Sequence, residues 1–464
     1  MTVFEAYSKE DVIEELKHSA VNAYISTEAN ILAEHKNDPN GVGDADGDLL
    51  AYVEVTNKDD IKGVLKVARK YHIPVIPQTT ATSTVSGSDA EAGGIMLSMV
   101  RMNHILEIDQ EDLLAVVEPG VINNDLNEAA KKVGMFYAPD PGSRPISAIG
   151  GNASTNAGGM STVKYGATRD SVLGLTVILA DGRELKLGGR TYKQAFGYDL
   201  THLFVGSEGT LGIITEITVK LFPVPLGQAV MGLAFFDSMT VLSNAVTEIR
   251  ASGVYPAMLE ALDARTVNAL DRYEGTHYAE NNEAMLIFKL DVGSEDALKV
   301  VEKILVKFNG NNITVTSNEE KMAEITKLRQ DMLPAVFKGQ NHVMEDMAVP
   351  LSKLAPMMDY IQEVATKLDV PVFTAGHAGD GNVHPTLTWS LEEKEVPEKI
   401  VQALELMFKK TLELGGTISG EHAVGMLKNQ WVNTELGDEV DMLQHQIKSL
   451  LDPMNILNPK RKIN

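Results

Sequence analysis

Two histidines, His377 and His384, lie on either side of an Asp380-Gly381 dipeptide. Asp-Gly favours a two-residue hairpin turn, because both central positions of that turn take a positive φ. Folding the segment about this turn places His377 directly opposite His384, with their Cβ atoms about 4.5–5.5 Å apart. Two imidazoles at that spacing suit a single metal ion. The alternative is a turn that carries two hydrogen-bonded surface histidines.

A carboxylate and a further histidine follow at the end of the run Gly415-Gly416-Thr417-Ile418-Ser419-Gly420-Glu421-His422. Three of the chain's 11 histidines therefore lie between positions 377 and 422. The chain has no cysteine, so histidine and carboxylate side chains must bind any metal ion. For the same reason, redox chemistry needs a bound organic cofactor. The pattern indicates a metal site or a proton-transfer site.

Composition limits the classes of partner. A chain of 464 residues is long enough for two or three domains. Its net charge of −23 argues against binding to nucleic acid or to anionic membrane surfaces. Residues 1–10 are acidic and lack an apolar signal core, and no stretch approaches about 18 consecutive apolar residues. We therefore expect a cytoplasmic protein that is not integral to a membrane.

The elements that must position these residues fall into two regions. Residues 51–55 favour a strand, 57–71 an amphipathic helix and 73–76 a second strand, which together form a βαβ unit. Short apolar strands and glycine-rich turns then alternate up to residue 225. Residues 226–415 instead alternate strands with longer helices, so we predict an α+β fold with an antiparallel sheet in that region.

Three loops are rich in glycine or hydroxyl side chains: 77–88, 148–159 and 206–215. Glycine lets the backbone approach a ligand closely, and backbone N–H groups and hydroxyls can bind a pyrophosphate. Taken singly, the 77–88 loop is equally explained as a solvated turn, and a structural turn is the alternative for each of the other two loops. Taken together, the three loops suit one extended dinucleotide.

The chain resembles the vanillyl-alcohol oxidase / p-cresol methylhydroxylase superfamily. Within it, the resemblance is to D-lactate dehydrogenases, D-2-hydroxyglutarate dehydrogenases and the glycolate oxidase flavoprotein subunit. It covers roughly residues 45–464 and is carried by motifs that occur in order: Pro139-Asp140-Pro141, Gly150-Gly151-Asn152, Thr155-Asn156-Ala157-Gly158-Gly159, Tyr165-Gly166, Gly197-Tyr198-Asp199-Leu200, the 206–215 and 377–385 runs, and Ser419-Gly420-Glu421-His422.

The resemblance implies an α+β architecture with a two-subdomain FAD-binding domain and an α+β substrate (cap) domain that has an antiparallel sheet. The expected boundaries are an N-terminal helical extension at 1–44, the FAD-binding domain at 45–225, the substrate domain with the metal site at 226–415, and a C-terminal segment at 416–464 that packs back on the FAD-binding domain.

The resemblance also implies noncovalent FAD, with its pyrophosphate on the 77–88 loop, its isoalloxazine near 139–159 and its adenosine half near Glu208 and Ile214. A covalent link is not expected, because the 77–88 loop lacks histidine and the chain lacks cysteine. The family has an arginine and glycines where this chain has Gln78, Thr79, Ala81 and Ser83, so weaker or more mobile flavin binding is expected. The implied FAD-binding residues are Pro77, Thr79, Thr80, Ala81, Thr82, Ser83, Pro139, Asp140, Ser143, Gly150, Gly151, Asn152, Thr155, Asn156, Gly158, Tyr165, Glu208, Gly209, Gly212 and Ile214.

The resemblance further implies that His377, His384 and Glu421 bind one divalent ion and that His422 is the catalytic base. Zinc, manganese and iron all suit such ligands. The ion would polarise the hydroxyl of a 2-hydroxy acid, a neutral imidazole would take its proton, and hydride would pass to flavin N5. Arg329 matches the family's carboxylate clamp, although a lone helical arginine is more often a surface residue.

The sequence leaves the substrate and the electron acceptor open. Met344 stands where some hydroxyglutarate enzymes have a lysine, and Lys338 is a weak substitute for it, so the expected reaction is oxidation of D-lactate to pyruvate. Glycolate and D-2-hydroxyglutarate are alternatives. A metal-dependent hydrolase, or a module that mainly docks another flavoprotein, are rival classes. An electron-transfer flavoprotein is the expected electron acceptor, and a homodimer is one assembly that the sequence allows.

Overall fold

The computed structural model describes residues 7–38, 47–278, 282–292 and 295–463. In that part of the chain the strands β1 to β19 are, in order, Tyr24–Ser26, Ala51–Glu54, Val75–Gln78, Ile95–Ser98, Ile105–Asp109, Leu114–Val117, Met135–Phe136, Val172–Ile178, Glu184–Gly188, Ile213–Lys220, Phe222–Pro223, Val230–Phe236, Met258–Leu262, Ala284–Leu290, Asn311–Thr316, Asn341–Met344, Met347–Ala348, Val372–Gly376 and Asn382–Trp389. The helices α1 to α16 are Lys9–Ser19, Ala29–Glu34, Lys58–Tyr71, Asn123–Lys131, Ile149–Thr155, Thr162–Tyr165, Thr168–Ser171, Thr201–Phe204, Met239–Ala251, Ala264–Glu274, Glu295–Lys307, Glu319–Phe337, Leu354–Lys367, Glu398–Glu413, Val432–Leu436 and Asp438–Leu451.

The chain forms two compact units. The first comprises the described residues of Met1–Gly158, Gly166–Val224 and Glu421–Asn464, and the second those of Gly159–Tyr165 and Pro225–Gly420. The expected start of the C-terminal segment at 416 differs from this division, because residues 416–420 belong to the second unit. So does the short segment 159–165, which lies inside the region expected to bind FAD.

The first unit contains the predicted βαβ element. Helix α3 begins after Asn57, whose side chain accepts hydrogen bonds from the backbone N–H groups of Asp59 and Asp60. Its buried face includes Ile61, Val64, Leu65 and Ala68, as the sequence periodicity predicts. Strands β2, β4 and β3 pair in parallel, with β1 antiparallel at the edge of the sheet.

The described part of the N-terminal segment belongs to the first unit. Val12 and Leu16 of α1 are fully buried in the same apolar cluster as Ile61 and Leu65. Strand β1 also pairs with β2. The described part of the expected 1–44 extension therefore completes the core, while residues 1–6 and 39–44 of that expected segment lie outside the described residues.

A second, antiparallel sheet of the first unit has the order β5-β6-β10-β8-β9. Its apolar face forms a core cluster with α5, to which Ile149 and Ala153 belong. The C-terminal tail packs within the same unit, where Leu457 bridges to Val75 and the fully buried Arg461 forms an ion pair with Glu91. The 77–88 loop follows β3, the 206–215 loop leads from α8 into β10, and the 148–159 segment, expected to be a loop, contains the short helix α5.

The second unit is built on an antiparallel sheet with the order β15-β12-β14-β13-β18-β19-β16, and β17 pairs with β19 beside it. Helices α10 and α12 contribute to the apolar cluster on one side of that sheet, through Val267, Leu270, Ile325 and Leu328. The predicted α+β class with antiparallel sheets is confirmed. Among the described residues, no helix has both the length and the apolar character needed to cross a membrane.

Candidate active site

The first unit brings the three predicted loops together. The hydroxyl of Thr80 accepts a hydrogen bond from the backbone N–H of Ala148 at 3.2 Å, which joins the 77–88 loop to the 148–159 loop. The N–H of Gly206 donates to the Ala153 carbonyl at 2.8 Å, which joins the third loop to the second. The interpretation of these loops as one site agrees with their contacts, although no two of them are adjacent in the sequence.

Several loop glycines are required by the packing of the protein against itself. A Cβ on Gly150 would lie 2.5 Å from the Pro119 Cβ, and one on Gly212 would lie 2.5 Å from Val177 Cγ1. A Cβ on Gly209 would overlap with the Pro77 ring. By contrast, a Cβ on Gly151 would meet the Thr79 hydroxyl at 3.1 Å, a tight contact between two of the predicted FAD residues.

The 77–88 loop keeps a glycine-like backbone without glycine. Ala81 has φ of +48°, in the left-handed region that favours glycine. Thr79, Thr80, Ala81, Thr82 and Ser83 are all half-exposed, so their hydroxyl and backbone groups line accessible surface. Ala81 therefore holds the backbone shape that the family resemblance attributes to glycine, at some cost in backbone strain.

The polar groups around these loops suit a polar ligand such as FAD. The hydroxyls of Ser147 and Ser207 are buried and have no hydrogen-bond partner among the residues that the structure describes. Burying an unpaired hydroxyl is unfavourable unless a ligand or water bonds to it. The donor and acceptor groups of the loops therefore fit a dinucleotide. Residues 79–84 include no charged side chain.

The remaining predicted FAD residues of the second loop region form a hydrogen-bonded frame. Asn123 donates to the Pro139 carbonyl at 3.1 Å and to Asn152 Oδ1 at 3.0 Å. Ser143 accepts through its carbonyl from the N–H of Ser147 at 2.8 Å. Half-exposed Asp140, the Thr155 hydroxyl bonded to the Gly151 carbonyl, left-handed Asn156 and buried Gly158 complete the set.

Glu208, Ile214 and Tyr165 have protein partners of their own. The Glu208 carboxylate accepts from the backbone N–H groups of Val424 and Gly425 at 2.9 and 2.7 Å. Ile214 is buried in the apolar cluster of the second sheet. Tyr165 belongs to the second unit, where its hydroxyl donates to Asp291. Their predicted contact with FAD stays a prediction.

The two histidines of the second unit lie at the β18–β19 hairpin, in a register that differs from the prediction. His384 is paired with Ala375, so the expected direct opposition of His377 and His384 is wrong. The N–H of Asp380 donates to the His377 carbonyl at 3.1 Å, which makes a turn centred on Ala378 and Gly379 instead of Asp380-Gly381. Because the register differs by two residues, both histidines still share one face of the sheet.

The two imidazoles remain close despite that shift. Their ring centroids are 5.3 Å apart and their planes are nearly perpendicular, at 85°. His377 and His384 are 6% and 5% exposed, so neither is a surface histidine. The alternative of two exposed, hydrogen-bonded turn histidines is therefore wrong.

Both histidines are oriented through their Nδ1 atoms. Nδ1 of His384 lies 3.2 Å from the Glu345 carbonyl oxygen, which can only accept a hydrogen bond, so Nδ1 carries the proton. Nδ1 of His377 lies 2.8 and 2.9 Å from the two carboxylate oxygens of Glu260. In each ring the lone pair then resides on Nε2, which is the arrangement that metal-binding histidines need.

Glu260 was not predicted from the sequence. It is 0% exposed in the centre of β13 and also accepts from Arg329 Nε at 2.6 Å. Burial alone would raise the pKa of Glu260, but His377 and Arg329 hold that pKa below its usual value. An acidic residue within the otherwise apolar run Met258-Leu259-Glu260-Ala261-Leu262 is the signal that could have identified it. Lys338, the weak substitute for a substrate lysine, instead lies over the Tyr273 ring.

The segment before Glu421 is anchored in the second unit beside Asp346. Thr417 and Ala348 exchange backbone hydrogen bonds at 2.8 and 3.0 Å, and the Gly420 N–H donates to the Asp346 carbonyl at 3.2 Å. The fully buried Asp346 side chain accepts from Asn382 at 2.7 Å. Glu421 and His422 follow as the first residues of the last segment of the first unit, with Nε2 of His422 3.8 Å from Glu421 Oε1.

Comparison with known proteins identifies the family. Residues 228–461 match the family of FAD linked oxidases, C-terminal domain, and residues 49–188 match the FAD binding domain. The chain belongs to the FAD-linked oxidases. It is 39% identical over 413 residues to the glycolate oxidase subunit GlcD of Bacillus subtilis (strain 168), which covers 88% of each chain. It is 34% identical over 420 residues to a D-lactate dehydrogenase of Anaerostipes hadrus, again over 88% of each chain.

Solved structures agree on the fold. The chain matches p-cresol methylhydroxylase with substrate bound at a TM-score of 0.80 and 18% identity, covering 98% of this chain and 97% of that one. At that identity the likeness shows the fold alone, which is the vanillyl-alcohol oxidase / p-cresol methylhydroxylase type. The protein is an FAD-dependent oxidoreductase of the D-lactate dehydrogenase and glycolate oxidase type. This membership leaves the metal-hydrolase alternative without support.

Proposed function

We propose that this FAD-linked oxidase oxidises D-lactate to pyruvate with the help of one divalent metal ion held by His377, His384 and Glu421. The observation that carries the proposal is the pair of buried imidazoles in the second unit. Both have Nδ1 beside an acceptor, so both have the Nε2 lone pair that a metal ion requires. A chain without cysteine has this histidine and carboxylate chemistry as its means of binding zinc, manganese or iron.

Chain connectivity supports Glu421 as the third ligand. Gly420 is bonded to Asp346, and a Cβ on Gly420 would lie 2.8 Å from Asp346 Oδ1. Asn382, the first residue of the strand that carries His384, bonds to the same Asp346 side chain. The Cα of Glu421 follows that of Gly420 by about 3.8 Å. The carboxylate therefore leaves the backbone one residue beyond a position tied to the histidine strand.

In the proposed reaction each residue has a distinct task. His422 takes the proton of the substrate hydroxyl, the role that a neutral imidazole performs near pH 7. Arg329 is held by Glu260 through Nε, so its two terminal nitrogens are the edge that would bind the substrate carboxylate bidentately. A bound divalent ion would lower the pKa of the substrate hydroxyl. Bound FAD supplies the acceptor for the hydride that leaves C2.

The preference for lactate follows from the residues available for a second carboxylate. Met344 has no charge, and the ammonium group of Lys338 lies over the Tyr273 ring. Neither residue therefore supports a contact to the second carboxylate of a dicarboxylic acid. Glycolate is the second candidate, because a relative at 39% identity is a glycolate oxidase subunit. An electron-transfer flavoprotein is the proposed electron acceptor, since the FAD-linked chain must pass its electrons to a separate oxidant. A homodimer stays a prediction.

Anaerobic flavin bleaching tests the proposed substrate. The FAD-loaded protein is mixed with D-lactate, L-lactate, glycolate or D-2-hydroxyglutarate, and flavin absorbance is followed by stopped flow. We expect D-lactate to reduce the flavin fastest and L-lactate not to reduce it. Faster reduction by glycolate would establish the second candidate, and reduction by none of the four acids would refute the proposed function.

The metal is tested with His384→Ala. Removing one imidazole should lower the bound metal, measured by elemental analysis, and abolish flavin reduction by D-lactate while FAD stays bound. His104→Ala is the matched control, because His104 is an exposed histidine of the first unit that pairs with Glu118. Equal metal content in the two variants would contradict the site.

A further inference from the structure

The Glu260 carboxylate is buried and has two hydrogen-bond partners, the cationic Arg329 and the imidazole of His377. It lies at the middle of β13, where Ala261 and Leu262 pair with Gly376 and Ala375 of β18. Continuing that antiparallel register places Glu260 beside His377, and its exposed fraction is 0%. A carboxylate is retained in such an apolar strand only when its partners compensate for the loss of water.

We infer that Glu260 is a positioning residue that holds a metal ligand, His377, and the substrate-binding arginine, Arg329, in one fixed arrangement. The inference rests on the proposed function, because it assigns Glu260 a task only if His377 binds a metal ion. The contacts are direct: Arg329 Nε is 2.6 Å from Oε2, and His377 Nδ1 is 2.8 Å from Oε1 and 2.9 Å from Oε2. Glu260 itself touches neither substrate nor cofactor in this scheme.

The tautomer of His377 follows from what Glu260 can and cannot do. A carboxylate beside the permanently charged Arg329 accepts hydrogen bonds and donates none. His377 must therefore donate from Nδ1, which leaves its lone pair on Nε2. In His384 a backbone carbonyl imposes the same tautomer. The Glu260 side chain thus fixes the tautomer of His377, as the Glu345 backbone carbonyl fixes that of His384.

Glutamine at position 260 would work against this tautomer while keeping the shape of the side chain. The Arg329 Nε–H requires an acceptor, so the single amide oxygen would face Arg329. The amide NH₂ would then replace Oε1, 2.8 Å from Nδ1 of His377, and oppose its N–H, so His377 would keep only the 2.9 Å contact to the oxygen that it shares with Arg329. This loss favours the tautomer with the proton on Nε2, which leaves Nε2 without the lone pair that a metal ion would bind.

The test measures Mn²⁺ binding to the FAD-loaded, metal-depleted protein by calorimetry. We expect Glu260→Gln to weaken Mn²⁺ binding by about 10–100-fold, the usual effect of losing the partner of a ligating histidine. Asp263→Asn is the matched control. Asp263 is also buried, three positions along the chain, but its carboxylate accepts from the backbone N–H groups of Thr266 and Thr374 and contacts neither histidine in the bonds that the structure records. Its Mn²⁺ affinity should equal that of the wild type.

The outcomes separate this inference from the proposed function. Wild-type protein that binds no Mn²⁺ would overturn the metal site itself. Wild-type binding that Glu260→Gln leaves unchanged, in a variant that keeps its flavin and its cooperative melting, would overturn the role of Glu260 alone.

A second measurement needs no variant of Glu260, so it decides the question even if that variant fails to fold. ¹⁵N NMR of histidine-labelled wild-type protein, with His377 assigned by its loss in His377→Gln, reports which ring nitrogen carries the proton. We expect protonated Nδ1 at pH 8. A proton on Nε2 would overturn the inference.

Discussion

The carboxylate of Glu208 accepts a hydrogen bond from the backbone N–H of Gly425 at 2.7 Å, and a second one comes from Val424 at 2.9 Å. Glu208 is 4% exposed and has φ of +55°. The bonded turn begins directly after His422 and Ala423, whose φ is +73°. Within the first unit, the 206–215 loop therefore holds the backbone that carries the proposed base.

Replacing Glu208 by Ala should destabilise that turn. Two backbone N–H groups would lose a charged acceptor, and hydrogen bonds to charged groups contribute about 1.5–3 kcal/mol each. We expect the melting temperature to fall by roughly 5–10 °C. Glu208→Gln keeps one acceptor oxygen, so its melting temperature should fall by about half as much. Calorimetry of both variants measures this, and equal melting temperatures for Ala and wild type would show that the two bonds do not matter.

His422→Ala tests the assignment of the base. Flavin reduction by D-lactate should slow by about two to four orders of magnitude, the usual contribution of general-base catalysis. His422→Asn keeps much of the shape and should be nearly as slow, because it cannot accept the proton. Stopped-flow absorbance gives the rate, and flavin and metal content confirm that binding is intact. Reduction at the wild-type rate would assign the proton to another group.

The absence of cysteine and of a histidine in the 77–88 loop predicts a noncovalent flavin. Acid precipitation should therefore release the yellow chromophore into the supernatant. Ala81→Gly should strengthen flavin binding, because glycine adopts the φ of +48° at Ala81 without strain. Fluorescence of released FAD measures both effects. Colour that stays with the denatured pellet would mean that the flavin is covalently attached.

Asp291 should make the stability of the second unit depend on pH. Burial alone would raise the pKa of Asp291, but Lys164 and Tyr165 hold that pKa below its usual value. Because the folded-state pKa is the lower one, the stabilisation is present above about pH 3.9 and is lost as the pH falls through the folded-state pKa. The Asp291→Asn variant should therefore melt at a lower temperature than the wild type at pH 7. Its melting temperature should fall less than that of the wild type between pH 5 and pH 3. The exposed Asp237→Asn should follow the wild-type profile in the same melting series.

Gly381 tests the shape of the hairpin that joins the two histidine strands. Gly381 and Gly253 share a φ of +85°, so alanine is strained equally at both. A Cβ at Gly381 would also overlap with the Val349 carbonyl oxygen, whereas none of the described atoms lies within 4 Å of a Cβ at Gly253. Gly381→Ala should lower the melting temperature clearly more than Gly253→Ala. Similar losses would mean that the turn relaxes without strain.

Local signals in the sequence were sufficient to predict several elements of the fold and the family of this protein. Asn57 before an apolar period of helical spacing predicts α3, and the structure has that helix with that cap. The glycine, hydroxyl and histidine motifs occur in a fixed order along the chain and are sufficient to indicate the family and its FAD, because each motif is a run of contiguous residues that can be identified without its partners in the fold.

Tertiary contacts decided what those motifs do. The Asp-Gly dipeptide predicts a turn, but the N–H of Gly379 bonds to Leu259 on another strand, and the hairpin turns there instead. Gly150 and Gly212 read as ligand-binding glycines, yet Pro119 and Val177 exclude a side chain at those positions. Glu260 meets His377 across 117 positions of the chain. Sequence periodicity carries information over a few turns of helix or a few strand residues, whereas a pairing at that separation exists only once the sheet has formed.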